Sequence, residues 1–103
     1  MQYGAFELGE KLCAFARQGE EQKLECYRLA GVNLSTSTNM ACQSPLHAAA
    51  ETSQELVASY LLEKGVDTSL KDVYGRTPFD IAELLNRKEI IQLLTEKNGE
   101  AER

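Results

Sequence analysis

The chain's single histidine, His47, lies three residues after Ser44, and its three cysteines stand at positions 13, 26 and 42. These are the side chains whose types admit nucleophilic, acid–base or metal chemistry. A catalytic histidine needs a nucleophile or metal within reach and a third group to hold it. The sequence has no GxSxG, no HExxH and no glycine-rich phosphate loop to supply them. The cysteines are odd in number and form no CxxC, and one histidine cannot complete a zinc-finger set. The expectation is no enzyme, no metal and no cofactor, with three free thiols in a reducing compartment. Cys13 and Cys26 fall in apolar helical patterns, where a thiol packs as a small hydrophobe. Cys42 falls in a connector and is expected at the surface.

The elements that position these residues repeat. Shifting SPLHAAAETSQELVASYLLEKGVD (44–67) by 33 residues brings it onto TPFDIAELLNRKEIIQLLTEKNG. Ser44-Pro45-Leu46 meets Thr77-Pro78-Phe79, Ala49 meets Ala82, Val57 meets Ile90, and Leu61 meets Leu94. A fixed period of this size signals stacked supersecondary units. Ser44 and Thr77 are good helix N-caps, with Pro45 and Pro78 at the first helical position, where a missing N–H costs nothing. Thr52 and Glu55 have capping-box spacing and predict the start of a second helix. Val57, Ala58, Leu61 and Leu62 form its apolar stripe, and Gly65 stands where a left-handed residue ends it. In the N-terminal third, Leu8, Leu12 and Phe15 predict one helix ending near Gly19. Leu24, Tyr27 and Ala30 predict another ending at Gly31. GVNLS from Gly31 echoes GVDTS from Gly65 at a spacing of 34, so the first connector carries one extra residue.

This pattern resembles the ankyrin repeat, whose unit joins a T-P-L-H helix start, two antiparallel helices and a D-x-x-G-x-T-P finger. The middle unit matches well, and Asp72-Val73-Tyr74-Gly75-Arg76-Thr77-Pro78 matches the finger closely. The resemblance covers roughly residues 5–98. It implies an all-α solenoid of antiparallel helix pairs with short finger loops, one domain over 1–103. The units lie at about 5–34, 44–67 and 77–99, with a polar tail at 97–103 resembling a C-terminal cap. It also implies that His47 fixes the helix start by bonding to the Ser44 position. Unit three departs from the pattern with Asp80 in place of histidine, an acid that suits the first helical turn. Unit one lacks the T-P-L-H start. The first finger, Asn39 to Gln43, has Cys42 in place of the turn glycine, so a regular hairpin is not expected there.

Composition narrows the function classes. Charged residues make up 26%, apolar residues 43%, and the formal net charge is −5, which disfavours nucleic acid and anionic membrane. No apolar run approaches the roughly 20 residues of a spanning helix, and no secretory leader is visible in MQYGAFELGEKL. The expected location is intracellular, the cytoplasm first, with the nucleus open. No Lys or Arg occurs between Arg28 and Lys64, while Glu51, Glu55 and Glu63 are acidic. Such a run is usually a solvated face; the functional reading is an acidic patch for a basic partner segment.

The resemblance implies binding of another protein through the concave face and fingers. Carried onto this chain, the candidates are Met40, Gln43, Glu51, Thr52, Lys71, Tyr74, Arg76, Leu84 and Leu85. An alternative from another class is a C-terminal appendage of a larger cytosolic enzyme of asparaginase/lysophospholipase or glutaminase type, with a regulatory or assembly role. A third is self-association through an uncapped N-terminal side.

Overall fold

The computed structural model describes residues 5–101, and six helices run through them. They are α1 (Ala5–Arg17), α2 (Glu21–Leu29), α3 (Pro45–Thr52), α4 (Glu55–Glu63), α5 (Pro78–Leu84) and α6 (Lys88–Ala101). Consecutive pairs pack as hairpins. Helices α1, α3 and α5 form one layer, and α2, α4 and α6 form the other. The 33-residue sequence period is thus a stacking period: each unit buries the apolar face that its neighbour leaves open.

Helix α3 has neighbours on both sides in its layer and α4 behind it, which accounts for its composition. Ala48, Ala49 and Ala50 are fully buried, and only small side chains let three helices approach so closely. Larger residues fill the space between layers, with Leu12, Leu24, Leu46, Val57, Leu61 and Ile90 all sealed from solvent. The helix starts follow from the N-cap residues. Ser44 Oγ accepts from His47 N–H while Ser44 N–H donates to His47 Nδ1 at 3.1 Å. Thr77 and Asp80 form the same reciprocal pair, both bonds at 3.1 Å. The aspartate of unit three therefore does more than face the helix dipole; it closes the box that His47 closes in unit two. Gly65 takes the left-handed conformation (φ +76°) just past α4, as does Gly31 past α2.

Two local expectations need correction. Helix α4 does not start with a Thr52–Glu55 box: its N-cap is Gln54, without a side-chain cap bond. Thr52 is the last residue of α3, and its hydroxyl donates to the Ala48 carbonyl at 2.8 Å. Ser53, in the left-handed region, makes the turn between them. Cys26 is exposed rather than packed in the core. Helix α6 continues through the backbone of Lys97 to Ala101, so this part of the polar tail extends the last helix; residues 102–103 lie outside the described range.

The sequence pattern did not signal one packing feature. Gly9, in the middle of α1, lies against the backbone of Thr38 and Asn39, and a Cβ there would overlap the Thr38 carbonyl. Helix α1 has 13 residues against 8 in α3 and 7 in α5. Its extra N-terminal turns occupy the position that a finger holds in the other units, and Gly9 lets them seat.

Candidate functional site

The two fingers are built alike. In the second, Asp72 N–H donates to the Arg76 carbonyl and Gly75 N–H to the Asp72 carbonyl, each at 2.9 Å. The Asp72 carboxylate accepts from the backbone of Tyr74 and Arg76, both at 2.9 Å, and from Arg76 Nε at 3.1 Å. Burial pushes this carboxyl up, but the Arg76 bonds outweigh it and leave Asp72 below the usual carboxylate range. In the first finger, Asn39 replaces the aspartate and accepts from the N–H groups of Ala41 and Gln43 at 2.9 and 3.0 Å. Asn39 N–H donates to the Gln43 carbonyl at 3.1 Å, and Cys42 N–H to the Asn39 carbonyl at 2.9 Å. Cys42 sits at φ +60° where Gly75 sits at +76°, so the hairpin that a cysteine was expected to spoil is kept. A bond from Val73 N–H to the Ala41 carbonyl, 2.9 Å, ties the fingers together.

Each finger is also held from below. His47 is fully buried, and its Nδ1 accepts from the Ser44 N–H. That assigns the proton to Nε2, which donates to the Arg76 carbonyl at 2.9 Å. Burial holds the imidazole below its ordinary value, keeping it neutral. Cys13 stands 34 residues before His47 and does the same for the first finger, its thiol donating to the Gln43 carbonyl at 3.3 Å. Burial pushes that thiol up to about 12, far from the range of a reactive thiolate. Among the described residues no group of His, Cys, Asp and Glu has the arrangement of a metal site. Of the four side chains that admit chemistry, His47 and Cys13 are thus engaged in holding the fingers, while Cys26 and Cys42 are exposed free thiols.

The expected binding residues fall into three groups. Met40 and Tyr74 project from the finger tips, 73% and 76% exposed, and Lys71 is exposed beside the second finger. Arg76 stacks on the Tyr74 ring at 5.0 Å while paired to Asp72. Leu84 and Leu85, at the end of α5, are 66% and 40% exposed and present a small apolar patch. Gln43 is buried, its side-chain oxygen accepting from Asn39 Nδ2 at 3.4 Å and Arg17 Nη2 at 3.5 Å, so it serves the fold. Thr52 is half-buried and its hydroxyl is committed to α3.

Glu51 is not part of an uncompensated acidic patch. Arg17 Nε reaches its carboxylate at 3.3 Å, and the Arg87 guanidinium donates to its carbonyl at 3.2 and 2.9 Å. Within the lysine- and arginine-free run it is thus Glu51 that meets cations from the neighbouring units, while Glu55 and Glu63 lie on α4 in the other layer. Sequence reading missed Arg17 and Arg87 in this role, and missed Val73, which is 55% exposed. It also missed the stripe of α1 that faces the first finger. Glu7, Glu10, Lys11 and Ala14 recur at i, i+3, i+4 and i+7 beside the apolar stripe of Leu8, Leu12 and Phe15, so the helical spacing could have found it.

In the α2–α4 contact, Glu25 joins Arg28 and Tyr60. Arg28 donates to both carboxylate oxygens at 2.8 Å, and the Tyr60 hydroxyl donates to Oε1. The Arg28 bond, then that of Tyr60, holds the Glu25 carboxyl at about 2, while burial pushes Tyr60 up to about 12.

Two stacked helix layers with finger loops define a helical-repeat interaction module, and comparison with known proteins gives the family. A model of ankyrin repeats, three copies, matches residues 12–102, and the chain belongs to the ankyrin-repeat family, whose members bind other proteins. The potassium channel GORK of Arabidopsis thaliana is 33% identical over 94 residues, covering 90% of this chain and 11% of the channel. The potassium channel KOR2 of Oryza sativa subsp. japonica is 33% identical over 88 residues, 85% of this chain and 12% of that protein. The probable E3 ubiquitin-protein ligase XBOS32 of the same plant is 31% identical over 102 residues, 98% of this chain and 21% of the ligase. The chain thus spans about a tenth to a fifth of the length of these relatives. Among the described residues, no helix is long and apolar enough to cross a membrane.

Proposed function

We propose that this domain is a non-catalytic binding module that holds a partner protein against the concave face, formed by α1, α3, α5 and the two fingers. One observation carries the reading: among the described residues Met40 and Tyr74 are the most exposed large apolar side chains, yet they stand on fingers closed by hydrogen bonds and tied to each other. Exposed anchors on a rigid frame bind with little ordering cost. The assignment is tested with a photo-crosslinking amino acid at Tyr74 and, separately, at Leu56, which is 72% exposed on α4. Partner adducts are expected from position 74 and not from 56. The reverse pattern moves the site to the outer layer.

A second reading is an appendage that serves a larger protein. The short share of each relative that the chain covers favours it. These relatives are channels and a ligase, so they lend no support to an asparaginase/lysophospholipase or glutaminase body. An immunoblot of endogenous protein separates the readings: a band near the 11.4 kDa of this chain favours the module alone, and a much larger band the appendage.

A further inference from the structure

Between the N-terminal turns of α1 and the first finger runs a groove of about 490 Å3, lined by Glu7, Glu10, Lys11, Ala14 and Met40. It exists because unit one has a longer helix where the other units have a finger, so α1 and the Met40 tip face each other across a gap. Both walls are fixed. Gly9 seats α1 on the Thr38 carbonyl, and the Asn39 side chain closes the finger that carries Met40. The groove is shallow and open to solvent, a shape that suits a chain segment lying across it and not an enclosed small molecule. Ala14 and Met40 give it an apolar lining, and methionine adapts its shape to what enters. Glu7 and Glu10 stand one turn apart on the rim, and neither engages in an ion pair among the described residues. With Lys11 beside them the rim is net negative, as is the whole chain at −5.

We propose that this groove seats an extended peptide segment that places an apolar side chain against Ala14 and Met40 and a flanking lysine or arginine against Glu7 and Glu10. The proposal rests on the concave-face reading and deepens it, giving the partner segment a chemistry and a place. The apolar side chain supplies the buried area; the cationic neighbour sets register and rejects acidic sequences.

The test uses the full chain, 15N-labelled, and two seven-residue probes on a glycine–serine frame. One carries leucine between two lysines, the other leucine between two glutamates. The expected result is saturable shifts at the amides of Glu10, Lys11, Ala14 and Met40 with the lysine probe, and affinity at least about tenfold weaker for the glutamate probe. Glu7→Gln with Glu10→Gln is expected to erase most of that preference, and Met40→Ala to weaken both probes several-fold. Equal affinity for the two probes overturns the charge selection. Shifts confined to Tyr74 and Leu84 overturn the groove while leaving the concave-face reading intact. Shifts on α2 and α4 overturn both, and no shift at millimolar probe overturns the groove.

Discussion

The Nε2–H of His47 donates to the carbonyl oxygen of Arg76 across 29 positions of sequence, joining the start of α3 to the last residue of the second finger. Since Nδ1 of the same ring accepts from Ser44 N–H, one buried side chain satisfies a donor and an acceptor in two consecutive units. Removing it orphans both. His47→Ala is expected to cost about 2–4 kcal/mol, because a buried group left unpaired costs about 1–3 kcal/mol and the part-buried Arg76 carbonyl falls at the low end of that range. Urea unfolding measures it; a loss below about 0.5 kcal/mol contradicts the bridging role.

The same ring makes stability depend on pH. Burial lowers the folded pKa of His47 below its ordinary 6.5, so the unfolded chain binds the proton more readily. Stability from the neutral ring is present above about pH 6.5 and is lost as pH falls from there through the lower folded value. Glu25 acts in a separate window: held at about 2 against an ordinary 4.5, its contribution is lost between those values. Thermal melts between pH 7.5 and 5 are expected to show a falling Tm in the wild type. That slope flattens in His47→Ala, and if both chains keep the same slope the assignment to His47 fails.

The register of the stack was legible in the sequence because every unit reuses the same local chemistry. Ser44-Pro45 and Thr77-Pro78 mark helix starts, and Gly31 and Gly65 mark helix ends, without reference to the rest of the chain. Contacts between units were not legible. Arg17 and Arg87 reach Glu51 over 34 and 36 positions, and no local pattern records that pairing. The first finger was misjudged for the opposite reason. A local rule, glycine at the left-handed position, was overridden by the Asn39 side-chain bonds and the link to the second finger, which hold Cys42 at φ +60°. On the binding side, exposure at Met40 and Tyr74 agreed with their place in the finger motif, whereas the burial of Gln43 depended on Arg17 and Asn39.

Cys42 pays for that override with backbone strain. A non-glycine residue in the left-handed region costs roughly 1–2 kcal/mol, against about 0.5–1 kcal/mol for the lost chain entropy of a glycine. Cys42→Gly is therefore expected to stabilise the fold by about 0.5–1 kcal/mol. Gly75→Ala, at φ +76° in the second finger, is expected to destabilise it. Denaturant midpoints of the two variants should move in opposite directions, and movement in the same direction refutes the parallel between the fingers.

Gly9 gives the reverse of a propensity rule. Alanine in a helix interior is favoured over glycine by about 1 kcal/mol. Here its methyl would enter the Thr38 carbonyl and force α1 off the first finger. Overpacking of this kind costs about 1–3 kcal/mol, so Gly9→Ala is expected to lower stability despite its better helix former. A circular dichroism melt decides the sign. A raised Tm would mean that α1 can shift freely, and the groove beside Met40 would lose its fixed wall.

Binding energy on a protein surface concentrates in a few large side chains held in place before the partner arrives. Tyr74 meets both conditions: it is 76% exposed, and Arg76 lies 5.0 Å over its ring while anchored to Asp72. It also makes few contacts that the fold depends on, since an exposed cation–π pair contributes about 0.5–1 kcal/mol at most. Tyr74→Ala is therefore expected to weaken partner binding by about 1–2 kcal/mol or more with Tm nearly unchanged. Glu51→Lys should behave differently. Its carboxylate already pairs with Arg17, so the reversal sets two cations together and lowers stability as well as slowing association with a basic partner. Titration calorimetry on both variants, with melts run in parallel, separates an anchor from a structural pair. If Tyr74→Ala leaves the affinity intact while substitution of Leu56 on α4 lowers it, the working surface lies on the outer layer and the concave face is only the frame.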